Sequence, residues 1–259
     1  MRRLPVCAAL LALGAASASA QSADSASPYP ASFGLSIGGN LGSYSVRDEF
    51  ISHEKYSGTL PGLIVEWSDV GASGGNRFTF EYESAPAIKN HNVSTSILEF
   101  AMGIDWIYPV GEFSLFSKPV FASLGPSSEF YIHFRSQNLS TGGPAIFRTY
   151  SFASLFSVGA SASFVCPVSA EFIADASIGT SLAGLGGRLV NPDDSQKSMF
   201  EFLTLVAGLR CKTDVGLRYM MLSNLSVRLG YRLEIVRIDA WDYFISGSDI
   251  AALSVRYGF

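Results

Sequence analysis

Leu98-Glu99-Phe100-Ala101-Met102-Gly103-Ile104-Asp105-Trp106-Ile107-Tyr108 carries a large apolar side chain at every second position, with Glu99, Gly103 and Asp105 on the other parity. A period of two puts one set on each face of an extended strand, whereas a helix would spread both sets around its axis. The stretch is a two-faced strand, and its rhythm recurs in both directions. Upstream, Phe33, Leu35, Ile37, Gly39 and Leu41 share a face. Leu63, Val65 and Trp67 alternate with Glu66, and Phe78, Phe80 and Tyr82 with Thr79, Glu81 and Glu83. Downstream, Phe113 to Leu124 reads as a strand with Phe113, Leu115 and Phe121 on one face and Lys118 on the other. Tyr150 to Phe164 alternates with serines, and Phe172 to Leu182 alternates with Glu171, Asp175 and Ser177. A long strand sets Leu203, Leu205, Ala207, Leu209, Val215, Leu217 and Tyr219 against Arg210, Lys212, Asp214 and Arg218. Leu225 to Leu233 and Ala251 to Phe259 complete a set of ten, or eight if Phe78 to Tyr82 and Phe113 to Leu124 are not strands.

The chain begins with Met1-Arg2-Arg3, an apolar run from Val6 to Ala16, and Ser17-Ala18-Ser19-Ala20. That order reads as a secretory signal peptide over residues 1–20, cut before Gln21. Residues 21–30, rich in Ser, Ala and Pro, read as a flexible lead-in, and residues 31–259 as one strand-built domain. The full chain has 18 Lys+Arg against 22 Asp+Glu; without Arg2 and Arg3 that is 16 against 22, a net charge near −6. An acidic balance argues against a nucleic-acid partner. Charged residues are 15% and aromatics 13%, which excludes disorder. The strongest uncharged apolar run, Phe202 to Leu209, is too short for a membrane helix. Cys7 belongs to the leader, and Cys166 and Cys211 fall on strands that are not neighbours, so no disulfide is expected.

Alternation alone does not say whether the apolar face lines a core or meets lipid. Strands four, six, seven and eight each supply five or more consecutive same-face apolar positions, the length of a membrane-spanning strand. Aromatic residues gather toward strand ends: Trp106, Tyr108, Phe113, Phe164, Phe172, Tyr219, Tyr257 and Phe259 at one level, Tyr44, Tyr82, Tyr150, Phe152 and Trp241 at the other. Amphipathic rings prefer the headgroup level of a bilayer. The polar parity is rich in Gly, Ser and Ala, as a crowded lumen requires. Links after even strands are short (Ser68 to Asn76, Pro109 to Glu112, Cys166 to Ser169, Leu222 to Asn224) and those after odd strands longer (Arg47 to Gly58, Ala85 to Asn92, Gly125 to Phe147, Gly184 to Ser198, Asp239 to Ser248). The expected fold is all-β: a transmembrane antiparallel up-and-down β-barrel of ten strands with its apolar face outward and both termini on the short-turn side.

The last residues carry a more specific signal. Leu253-Ser254-Val255-Arg256-Tyr257-Gly258-Phe259 resembles the C-terminal assembly strand of Gram-negative outer-membrane proteins, with Leu253, Val255, Tyr257 and Phe259 in the signal positions and Ser254 where many members have Gly. Asn224 to Arg232 resembles the penultimate strand of the small outer-membrane barrels of the OmpA, OmpW and Opa kinds. The resemblance implies a bacterial outer-membrane location, lipid contact, recognition by the barrel-assembly machinery and a monomeric barrel; it implies no activity.

The lumen reading follows from the phases. Glu66, Glu81, Glu83, Glu99 and Asp105 point inward from strands two to four, and Arg210, Lys212, Arg218, Arg228, Arg232 and Arg256 from strands eight to ten. Opposed charges either pair across the interior and fill it or border a narrow wet passage for small polar solutes. Ten strands enclose far less than a general porin does. His53, His91 and His133 are placed in loops, and Asp48-Glu49 and His53-Glu54 have the residue types of an acid/base set. No His-Glu-x-x-His motif accompanies them, and no catalytic residue, metal or cofactor is expected. Tyr131, Phe134, Trp241 and Tyr243, read as loop aromatics, are candidate contacts for an extracellular partner. A non-enzymatic structural or interaction barrel with a charged, side-chain-filled lumen is the expected function, ahead of a narrow channel and a rim-located hydrolase.

Overall fold

The computed structural model describes residues 33–50, 52–71, 73–89, 94–138, 150–188, 200–240 and 242–259. The leader, the lead-in, His91 and Trp241 lie outside them. Eleven strands follow one another: β1 (Phe33–Asp48), β2 (Ser52–Gly71), β3 (Gly74–Lys89), β4 (Ser94–Leu115), β5 (Lys118–Asn138), β6 (Tyr150–Pro167), β7 (Phe172–Arg188), β8 (Phe200–Thr204), β9 (Gly208–Met220), β10 (Leu225–Ala240) and β11 (Asp242–Gly258). Each pairs antiparallel with its chain neighbours, except that β8 and β9 both lie along β7 as two pieces of one stave. The ring closes where β1 meets β11, from Gly34 opposite Gly258 to Asp48 opposite Phe244. This is a closed antiparallel barrel of ten staves.

The near rim holds Phe33, Phe259 and the tight turns, and the far rim lies opposite. Outward side chains of β1 (Leu35, Ile37, Leu41), β10 (Leu229, Tyr231, Leu233) and β11 (Leu253, Val255, Tyr257) are exposed. Phe33 to Leu41 is nine residues; at about 3.3 Å each and a tilt of roughly 40° this rises about 23 Å, close to the apolar thickness a barrel presents to lipid. Aromatic contacts ring the near border: Phe33 lies edge-on 5.6 Å from Trp67 and 5.3 Å from Phe259, and Phe172 lies tilted 5.1 Å from Tyr219. Toward the far rim the outer face turns polar. Asp249 accepts from Ser43 and Tyr231 at 3.3 Å, and the pairs Arg47–Glu49 and Arg237–Asp239 stand above it. Apolar outward residues bounded this way form a membrane-spanning surface.

Strands run farther toward the far rim than the sequence pattern implied. Most of Arg47 to Gly58 and Gly125 to Asn138 is strand, so Phe134 sits on the outer wall of β5 rather than in a loop, and Tyr131 is turned inward with 1% exposure. Tyr131 is thus no surface contact. Tyr243 stays at the far rim beneath the Arg237 guanidinium, 5.3 Å from its ring. At the near rim, Pro109 to Glu112 is not a turn. The ladder slips by one residue between Pro109 and Gly111, a β-bulge, and β4 continues to Leu115. The hairpin closes at Phe116-Ser117, both at positive φ (49° and 63°). Leu115 therefore pairs with Lys118 and Phe113 with Val120, which puts Phe121 on the face opposite Phe113. Leu203 is also inverted: the turn at Leu205–Ala207 breaks the stave, resetting the parity, and Leu203 points inward with 1% exposure.

Candidate functional site in the barrel interior

Inward side chains divide the lumen into layers. The far half holds an apolar cluster including Val46, Leu60, Ile88, Ile97, Leu155, Leu203, Ile238 and Phe244, each 0–2% exposed. These are inward positions near strand ends where the sequence substitutes aliphatic groups for the Gly and Ser found lower down. Polar groups embedded there bond largely to one another, although His133 Nε2, two nitrogens of Arg135 and two of Arg188 lack a hydrogen-bond partner. Glu99 accepts from Tyr44 at 2.5 Å, Tyr131 at 2.7 Å and lies 2.9 Å from His133 Nδ1. Asp48 binds Arg188, both fully buried, and accepts from Ser151 at 2.5 Å. Arg135 lies 3.9 Å above the Tyr56 ring. His133 is thus an interior residue, with its ring 4.7 Å from that of Phe244, and not a loop histidine.

Below the apolar cluster a lattice of ion pairs crosses the axis. Glu81 of β3 meets Arg232 at 2.6 Å, Arg210 at 2.9 Å and Lys212 at 3.2 Å. Arg210 also reaches Glu129 at 2.5 Å and Glu234 at 2.7 Å, and Lys212 pairs with Glu129. Three acids and three bases from β3, β5, β9 and β10 thereby neutralise one another. Burying them so is tolerable because all but Glu234, which meets Arg210 alone, have two or more partners, while removal of one would strand others.

The near half is more open. A cavity of about 220 Å³ is lined by Ser, Gly and charged side chains. On its walls Arg77 pairs with Asp105 at 2.8 Å, and Arg228 binds Asp175 at 2.5 Å and also Asp214. Arg256 donates to Ser68 at 2.6 Å and stands 3.5 Å from Glu66.

The inward residues singled out from the sequence thus have definite places. Glu81 meets bases from the opposite wall, while Glu66 meets Arg256 two strands away, across β1; Asp105 pairs with its neighbour Arg77, Glu83 accepts from Asn40 at 2.8 Å, and Glu99 serves the tyrosine–histidine group. Arg218 lines the cavity. Glu129, a centre of the lattice, was missed because its segment reads as loop. Arg77 was legible, since inward parity follows from outward Phe78. Leu253, Val255, Tyr257 and Phe259 lie on the outer face of β11, where Tyr257 and Phe259 rings sit 5.0 Å apart. Both Cys166 and Cys211 are free thiols. Among the described residues no group of His, Cys, Asp and Glu has the geometry to hold a metal ion.

No protein-family model and no curated protein matches the sequence. Solved structures of similar shape include the translocator domain of the autotransporter NalP from Neisseria meningitidis, 9% identical with a TM-score of 0.44, covering 89% of this chain and 90% of that one. Neisserial surface protein A is 15% identical with a TM-score of 0.38, covering 87% and 97%. Ail, the attachment invasion locus protein of Yersinia pestis, is 10% identical with a TM-score of 0.33, covering 87% and 99%. The chain shares with them the closed antiparallel barrel, and its own outward apolar belt marks it as an integral membrane β-barrel.

Proposed function

We propose that this outer-membrane barrel is a non-enzymatic structural and surface-interaction protein whose interior is closed by its own side chains. The observation that carries this reading is the stacking of two barriers on one axis: the Glu81–Arg210–Glu129 lattice and, beyond it, the dry cluster around Leu60 and Phe244. Ions crossing such an interior would shed water without a replacement shell, which is prohibitive in an apolar layer. No nucleophile with an aligned base is accessible among the described interior residues, since His133 and Ser151 are both 0% exposed. A second reading, a narrow path for small polar solutes, draws on the near-half cavity alone. Planar-bilayer recording on the refolded chain separates the two. The closed reading expects no stable conductance, and steps of general-porin size would overturn it; small steps abolished by Lys212→Met would favour the narrow path.

A further inference from the structure

We propose that the near-half cavity is a binding site for a small solute bearing a carboxylate or phosphate group, with Arg218 as the residue that receives it. The other basic side chains on the cavity wall each have the carboxylate partner described above, but Arg218 has none among the described residues, and its Nε is buried without a hydrogen-bond partner. Strand register is the cause. Arg218 stands directly opposite Arg228 on β10 and Ile173 on β7, so neither cross-strand neighbour is an acid. Asp175, on the next inward rung of β7, faces Gly216. Arg228 passes over that glycine to take Asp175 for itself: a Cβ on Gly216 would meet its guanidinium at 2.4 Å. The missing side chain thus hands the one nearby carboxylate to the neighbouring arginine.

The surroundings add to the positive excess. Arg77 and Arg218 both lie close enough to repel Arg256, whose own acid, Glu66, is 3.5 Å away. Arg77, Arg218 and Arg256 share this corner with Glu66 and Asp105, while the further carboxylate near Arg77, Asp214, is engaged by Arg228 and Arg232. An uncompensated guanidinium in a confined lumen attracts an anion, and its planar fork matches the two oxygens of a carboxylate or phosphate. Ser36, Ser68 and Ser177 offer hydroxyl groups on the same wall. An apolar cavity of about 150 Å³ holds benzene, so one of about 220 Å³ holds a solute somewhat larger than a six-atom ring. The site is independent of whether the axis conducts, because the cavity lies on the near side of the lattice.

Calorimetric titration of the full barrel in uncharged detergent, with succinate and with inorganic phosphate separately, tests this. At least one of the two should bind one-to-one, several-fold more weakly when salt rises from about 0.05 M to about 0.5 M. Arg218→Met should abolish that heat, whereas Arg237→Gln on the outer face should leave it unchanged. Silence from both anions with the wild-type barrel overturns the proposal, as does wild-type affinity in Arg218→Met or equal loss in Arg237→Gln. Should Arg218→Met not fold, Arg218→Lys is the deciding variant: the charge without the fork should bind several-fold more weakly, and undiminished affinity counts against Arg218 as the receptor.

Discussion

The two halves of the lumen are built from the same strands but solve opposite problems. In the far half, inward rungs carry Leu60, Ile88, Ile238 and Phe244, and the few charges, such as Asp48 with Arg188, are wholly shut away. In the near half, inward rungs carry Ser, Gly and arginines, the pair Arg77–Asp105 keeps 22% exposure on each side chain, and a cavity remains. One half is a folded core turned inside a membrane protein, and the other holds an open cavity walled by charged and small side chains. On the proposed anion site, stability and recognition would be separated along the axis.

The sharpest way to break this contrast is to strip one partner from the buried pair. Arg188→Ala leaves Asp48 charged in a dry layer and should cost about 3–5 kcal/mol, read as a shift in the urea midpoint of heat-modifiable migration. Leu60→Ala, with its side chain fully buried, should cost about 2–5 kcal/mol through the cavity it opens; a loss below about 1 kcal/mol in the same assay would mean the far half is wet. Asp105→Asn in the near half should cost no more than about 1 kcal/mol, because water reaches the stranded Arg77. A larger loss there would erase the distinction. The smallest effect belongs to the hairpin outside both halves: Ser117→Gly relieves a left-handed backbone position and should raise stability by about 1 kcal/mol, visible as a higher thermal midpoint.

The near half was the more legible in sequence, for a physical reason. Where inward groups are Gly, Ser or charged and outward ones are Leu, Val or Tyr, as along Leu225 to Tyr231, alternation is unmistakable. Where Val236 and Ile238 point inward beside outward Ile235, both faces are apolar and the rhythm vanishes, so the alternation is lost after Leu233 although the strand runs on to Ala240. The turn at Phe116-Ser117 was hidden because neither residue is a usual former of a left-handed turn, while Pro109 and Gly111, which look like one, make a bulge. Partner choice in the lattice was beyond reach: parity places Glu81 inward, but only register shows it meeting Arg210, Lys212 and Arg232 together.

The seam between β1 and β11 has a temporal consequence. Gly34, at the start of β1, waits for Gly258 at the end of β11, with every other strand of the barrel between them in the chain. Until then each end of the growing sheet is a raw hydrogen-bonding margin, open to any other polypeptide. Such long-range closure is slow, so until β11 docks along β1 the sheet is a ribbon that invites misassociation instead of a sealed wall.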